Sequence, residues 1–411
     1  MSLYSAIALP LACLSGVWIP ATLLCCVPWL QKQMLYLHWV TLWPGKWLGE
    51  PERAGFLKNQ VAPFRIPTSD GETLFAWLIT PLGKYSRHAA DFIAEKSEPA
   101  GDVESRMAFK LLRDDPEARL LIYFHGNTAT VAQSRRTEEY RMYSSGASDH
   151  IFVLAFDYRG FGKSTGTPSE AGILEDAHAV VKWAMTTAKI PPSQIVLLGH
   201  SLGTAVACAI ADLYVTREEP VTFAGVILCA AFTNSGNAFS AYSIGGVFPV
   251  LAPVKLIPRL QSWFSARMRD TWFTDRRLAS LIRNSSQLRL VIVHSMDDTT
   301  MPWDQSEELF STAIRAAADA PASSTSHQRT SSPSEPAPSS LASKHLKCID
   351  LGEAGRQEVW SSGKITISKL IAKHGDHNTM MKWSPIALAV LECFGLTSLD
   401  AFARTVPSNR S

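Results

Sequence analysis

The run Ile195-Val196-Leu197-Leu198-Gly199-His200-Ser201-Leu202-Gly203 decides how the rest of the chain is read. An apolar stretch stops at Gly199, a serine stands two residues later, and Gly203 opens a helix-compatible segment over 204–213. Gly-x-Ser-x-Gly in that setting implies a sharp strand-to-helix turn with strained dihedrals at the serine, and small neighbours that let the adjoining chain pass close by. Such a turn lifts the hydroxyl above the carboxyl end of a parallel sheet, where a helix N-terminus favours negative charge. The five residues alone are a weak signal. Their force comes from the apolar run before and the helical segment after.

Outward from this turn the pattern repeats. Apolar runs at 120–124, 151–156, 221–230 and 288–293, and a final strand over 364–371, alternate with helix-compatible stretches at 171–185, 204–214, 302–318 and 385–394. Strands buried on both faces and separated by helices predict a parallel sheet with both faces covered. Residues 64–67 and 73–80, joined by Ser69-Asp70-Gly71, predict a hairpin at its edge. Residues 81–117, charged and without a period, read as a surface insertion with one short helix. Residues 232–286 break the rhythm with many aromatic and aliphatic side chains among prolines and glycines, and are expected to form a lid over an acyl-sized pocket. The alternative is a helical excursion merely anchored to the core. The Ala/Ser/Pro-rich stretch 320–343 cannot pack a core and is expected to be a disordered insertion within one hydrolase domain over 60–400.

At 411 residues, with 39 basic and 37 acidic side chains, the chain offers no bulk electrostatic case for a nucleic-acid partner. The seven cysteines show no C-x-x-C spacing, so neither a zinc site nor a disulfide framework is supported. Residues 3–30 carry no charged side chain, and Trp29, Trp39, Trp43 and Trp47 with Tyr36 crowd the region just beyond. This predicts an N-terminal membrane anchor over 1–35 with an interfacial aromatic belt, in preference to a cleaved signal peptide or a helix buried on the domain. Lys32, Lys46, Arg53 and Lys58 favour a cytosolic domain by charge counting.

Acyl transfer by a serine needs a base for its proton and an acid to hold that base in the right tautomer. His377, in His374-Gly375-Asp376-His377-Asn378, follows the last expected strand and is the candidate base, with His374 as the alternative. The acid falls in His294-Ser295-Met296-Asp297-Asp298-Thr299-Thr300-Met301-Pro302, where periodicity leaves Asp297 and Asp298 both open. Two backbone amides must meet the oxyanion: that of Leu202, directly after the nucleophile, and that of Asn127 in His125-Gly126-Asn127. His125, His200 and His294 read as structural. No metal, flavin, nucleotide or pyridoxal site stands out, and hydrolysis by this route needs no cofactor.

These stretches, together with Phe156-Asp157-Tyr158-Arg159-Gly160-Phe161-Gly162-Lys163-Ser164-Thr165-Gly166-Thr167-Pro168-Ser169-Glu170, resemble the alpha/beta-hydrolase superfamily. Within it the chain is most similar to the membrane-anchored lysophospholipid and monoacylglycerol lipases and the bud-emergence-type hydrolases. The resemblance implies a mostly parallel central sheet with helices on both faces, and the order Ser201, Asp298, His377. It selects Asp298 over Asp297 as the aspartate four residues after the loop's histidine, and His377 through its Gly-x-His setting. It also carries the second oxyanion donor onto Asn127. The implied activity is hydrolysis of a lipid acyl ester, with the lipid substrate and a membrane as partners, at the endoplasmic reticulum or another endomembrane. Some members place the catalytic domain in the lumen, against the charge count. Rival readings are a protein palmitoyl thioesterase, a broad carboxylesterase, and a noncatalytic endomembrane scaffold.

Overall fold

The computed structural model describes residues 20, 22–41, 45–97, 102–241, 243–244, 248–249, 257–319 and 345–397. Ten strands among them form one sheet in the order β1-β2-β4-β3-β5-β6-β9-β12-β11-β10. Its parallel centre is built from the apolar runs: β3 (Arg119–Phe124), β4 (Ile151–Asp157), β5 (Ile195–His200), β6 (Gly225–Cys229), β9 (Leu288–Ser295) and β12 (Ile365–Ala372). At one side lies the expected hairpin, β1 (Val61–Pro67) with β2 (Thr73–Ile79), and β2 pairs antiparallel to β4. At the other side β10 (Leu346–Asp350) and β11 (Arg356–Ser362) add antiparallel to β12. Two two-residue strands, β7 (Ser243–Ile244) and β8 (Phe248–Pro249), pair apart from the sheet.

Because consecutive side chains alternate across a strand, each buried strand feeds two cores. On one face Leu120, Ile122, Leu197 and Leu228 pack with helices that include α4 (Met107–Asp114), α6 (Glu170–Thr186), α7 (Leu202–Val215), α10 (Thr274–Asn284) and α11 (Asp304–Asp319). On the other, Leu121, Tyr123, Val196, Leu198 and Ile227 pack with α5 (Ser134–Ser145) and α12 (Ser384–Cys393). The architecture is that of the alpha/beta-hydrolase fold.

Three regions differ from expectation. Residues 81–117 are not a mainly superficial insertion: α2 (Leu82–Arg87), α3 (Ala89–Ala94) and α4 bury Tyr85, Phe92, Phe109 and Leu112 in the first core. Their charges obscured the period, because the polar residues occupy the opposite helix faces. In 232–286, α8 (Ser235–Ala241) lines the cavity at Ser201 through Ala238 and Phe239, and α9 (Pro258–Ser265) packs on α8 through Phe264, whereas α10 covers the sheet. Its Leu278, Leu281 and Ile282 lie at helical spacing in the sheet-covering core, so any lid is shorter than the expected range. Residues 242, 245–247 and 250–256 of that range lie outside the described residues.

At the N-terminus, α1 (Pro28–Tyr36) is docked on the domain. Gln31 donates to the Arg267 carbonyl at 3.0 Å and accepts from the Arg269 amide at 3.1 Å, and the Tyr36 hydroxyl donates to Asp270 at 2.9 Å. The last part of the expected 1–35 anchor therefore packs as domain structure, while residues 1–19 lie outside the described residues. Among the described residues no helix is long and apolar enough to cross a membrane. The expected disordered stretch 320–343 also lies outside them.

Candidate active site

The site gathers at the carboxyl ends of adjacent parallel strands, where the loops after β3, β5, β9 and β12 meet. Ser201 follows β5 with φ 52° and ψ −118°, a left-handed backbone that a non-glycine residue holds only when its surroundings impose it. The crossing behind it explains the two glycines. A Cβ on Gly199 would strike the Gly203 carbonyl, and one on Gly203 would strike the Phe124 carbonyl of β3.

Asp298 and His377 come together. His377 Nδ1 donates to Asp298 Oδ2 at 2.7 Å, with both side chains buried. This leaves Nε2 as the nitrogen with a free lone pair. Asp298 Oδ2 also accepts from His294 Nε2 at 3.1 Å, while Oδ1 accepts from the amides of Thr300 at 2.9 Å and Met301 at 2.8 Å. Burial opposes charge on Asp298, but the hydrogen bonds from His294 and His377 outweigh it and hold the carboxyl well below the usual carboxylate range. His294 is in turn fixed by Ser306, whose hydroxyl donates to His294 Nδ1 at 2.7 Å. Asp297 and His374 sit outside this network: they face each other at 3.5 Å with side chains 58% and 64% exposed.

The other histidines support the loops. His200 Nε2 donates to the His377 carbonyl at 2.8 Å, tying the Ser201 turn to the His377 loop. Burial pushes its imidazole down to about 3, so it stays neutral. His125 Nδ1 donates to the Gly126 carbonyl at 2.6 Å, and burial keeps it neutral too.

Ser201, Leu202, Asn127 and His377 line one cavity of about 260 Å³. Leu202 is the first residue of α7, so its amide has no intrahelical acceptor. Among the described residues no group accepts from the Asn127 amide. Its lining includes the apolar Met34, Leu35, Phe232, Ala238, Phe239 and Met301 and the polar Gln133, Arg135, Arg136, Glu139 and Asn378. Sequence reasoning missed Met34 and Leu35, which read as the end of an anchor, and Arg136 and Glu139, for which it offered no role. Burial raises the Glu139 carboxyl to about 7, although the Tyr123 hydroxyl donates to it at 2.7 Å. Among the described residues no group of His, Cys, Asp and Glu side chains has the arrangement of a metal site.

The chain is similar to known proteins over parts of its length. A profile of the alpha/beta hydrolase fold family matches residues 119–248. The human protein ABHD12B is 33% identical over 48% of this chain, a match that spans only half of that protein's own length. The lysophosphatidylserine lipase ABHD12 of Danio rerio is 27% identical over 74% of this chain and 72% of its own. Among solved structures, an alpha-beta hydrolase from Vibrio vulnificus aligns with a TM-score of 0.46 and 15% identity, covering 66% of this chain and 75% of that one.

Proposed function

We propose that this chain, whose residues 119–248 match the alpha/beta hydrolase fold family, is a serine ester hydrolase that cleaves the acyl ester of a single-chain lipid, a lysophospholipid or a monoacylglycerol. In this reading Ser201 is the nucleophile, His377 the base and Asp298 its orienter. The Ser201 hydroxyl attacks the ester carbonyl and its proton passes to His377 Nε2. The amides of Asn127 and Leu202 donate to the oxyanion as it forms. Collapse breaks the carbonyl–alkoxy bond, and the leaving alcohol takes the proton from His377. Water then attacks the acyl-enzyme, again losing its proton to Nε2, and the fatty acid departs as Ser201 regains that proton.

The observation that carries the reading is the cavity. Its lining brings the strained Ser201 and the Asp298-paired His377 together with apolar side chains suited to an acyl chain and polar ones suited to a headgroup. The name of the Danio rerio relative favours a lysophospholipid among the candidates. The test is release of fatty acid by the purified full chain from a panel of lysophospholipids, monoacylglycerol and a palmitoyl thioester peptide, with Ser201→Ala as control. Ser201-dependent release from one of the first two classes is expected. Preference for the thioester would move the function to protein deacylation. Absence of all Ser201-dependent turnover would leave the scaffold reading.

A further inference from the structure

The loop after β3 does not hold its own shape. Thr128 and Ala129 are consecutive non-glycine residues at φ 61° and φ 55°, a left-handed conformation that L-residues adopt only under outside constraint. That constraint comes from two sides. Arg136, 5% exposed, spreads its guanidinium over the loop's carbonyls. Its Nη2 donates to Gly126, Asn127 and Thr128 at 3.2, 3.3 and 2.9 Å, and its Nη1 to Thr130 at 2.9 Å. From the opposite direction the N-terminal segment receives the loop's amides: Thr128 donates to the Tyr36 carbonyl at 3.0 Å and Ala129 to the Val40 carbonyl at 2.9 Å. Tyr36 is itself anchored, its hydroxyl bonded to Asp270 at 2.9 Å and receiving the Trp272 indole N–H at 3.2 Å.

Across a trans peptide, the carbonyl of one residue and the N–H of the next point in opposite directions. Drawing the Gly126 carbonyl onto Arg136 therefore turns the Asn127 N–H away from the guanidinium. It is left unbonded on a residue that lines the cavity with Ser201. We propose that Arg136 and the 36–40 segment form a clamp that presents the Asn127 amide to the reacting carbonyl oxygen, which makes Arg136 a positioning residue for hydrolysis. The inference rests on the proposed hydrolase reading, and it ties catalytic competence to the docking of α1. Only a planar fork with several N–H groups spans four carbonyls; a lysine brings the charge without the geometry.

The test uses the full chain and a water-soluble short-chain ester, so that lipid presentation plays no part. Ser201-dependent turnover of the wild type is the gate: its absence sinks the hydrolase reading itself. Given turnover, Arg136→Lys, checked for folding by its melting curve, is expected to lose at least about tenfold in kcat, towards the 100-fold of a lost oxyanion donor, with KM within about twofold. An unchanged kcat in folded Arg136→Lys, or a loss confined to KM, overturns the clamp. Should that variant not accumulate folded, Tyr36→Phe decides from the other side. It removes both bonds of the phenol and is expected to lower kcat about fivefold at constant KM. Wild-type kcat there overturns the proposal.

Discussion

Replacing Asp298 by asparagine is a sharp perturbation because all four hydrogen bonds to its carboxylate run inward. Oδ1 accepts two backbone amides, from Thr300 and Met301, and Oδ2 accepts His377 Nδ1 and His294 Nε2. An asparagine has one oxygen to offer, so one pair of donors must face its NH2 group. The backbone pair is fixed by the turn, and the amide oxygen is expected to stay there. The NH2 then points at His377 Nδ1 and favours the tautomer in which Nδ1 accepts and Nε2 carries the proton. An imidazole in that state cannot take the Ser201 proton. Loss of the correct tautomer in a serine triad lowers kcat about 10⁴-fold, or ~5.5 kcal/mol of transition-state stabilisation. The near-isosteric change keeps the shape of the loop, so the melting temperature moves little by comparison. The assay is kcat and KM on a soluble ester alongside a melting curve. Asp297→Asn is the partner experiment: its carboxyl is 58% exposed, and activity is expected to stay within about twofold, as for an exposed ion pair. Loss of activity in Asp297→Asn with retention in Asp298→Asn would refute the reasoning.

Two other substitutions test the scaffold and its charge states. Gly203→Ala places a methyl against the Phe124 carbonyl of the neighbouring strand, and neither backbone can yield without breaking the turn; a loss of about 3 kcal/mol or more in denaturant unfolding is expected, and a mild effect would contradict the close crossing. Burial raises Glu139 to about 7, above its unfolded value, so its contribution to stability is present in acid and is lost as pH rises from about 4.3 towards 7. Glu139→Gln escapes that loss and is expected to be more stable than wild type at pH 8, by of order 1–3 kcal/mol, and no more stable at pH 4. Equal melting differences at both pH values would contradict it.

The parallel half of the fold was legible because strands buried on both faces must be apolar throughout, as at 120–124 and 195–198. The candidate site residues follow those strands directly, so locating the strand locates the loop that carries them. The choice between Asp297 and Asp298 was different. No period separates adjacent loop residues, and only the family resemblance favoured the one that the structure pairs with His377. The β10–β11 edge stayed hidden because its strands, exposed or half-buried except at Trp360, carry no apolar run or strict alternation. Arg136 could not be read at all. In sequence it is one charge among Arg135, Arg136, Glu138 and Glu139, and only the folded loop supplies the carbonyls that bury it. The N-terminus was half legible, since an uncharged apolar run looks the same whether lipid or the domain receives its last turn, and here α1 packs on the domain.

The central claim is that Ser201 is an activated nucleophile, and covalent trapping tests it most directly. The folded full chain would be treated with a fluorophosphonate probe, and the adduct located by peptide mass spectrometry. The account predicts a single adduct on the peptide containing Ser201, absent in Ser201→Ala and formed far more slowly in Asp298→Asn. A folded chain that stays unlabelled at Ser201, or one labelled equally fast after Asp298→Asn, would contradict it.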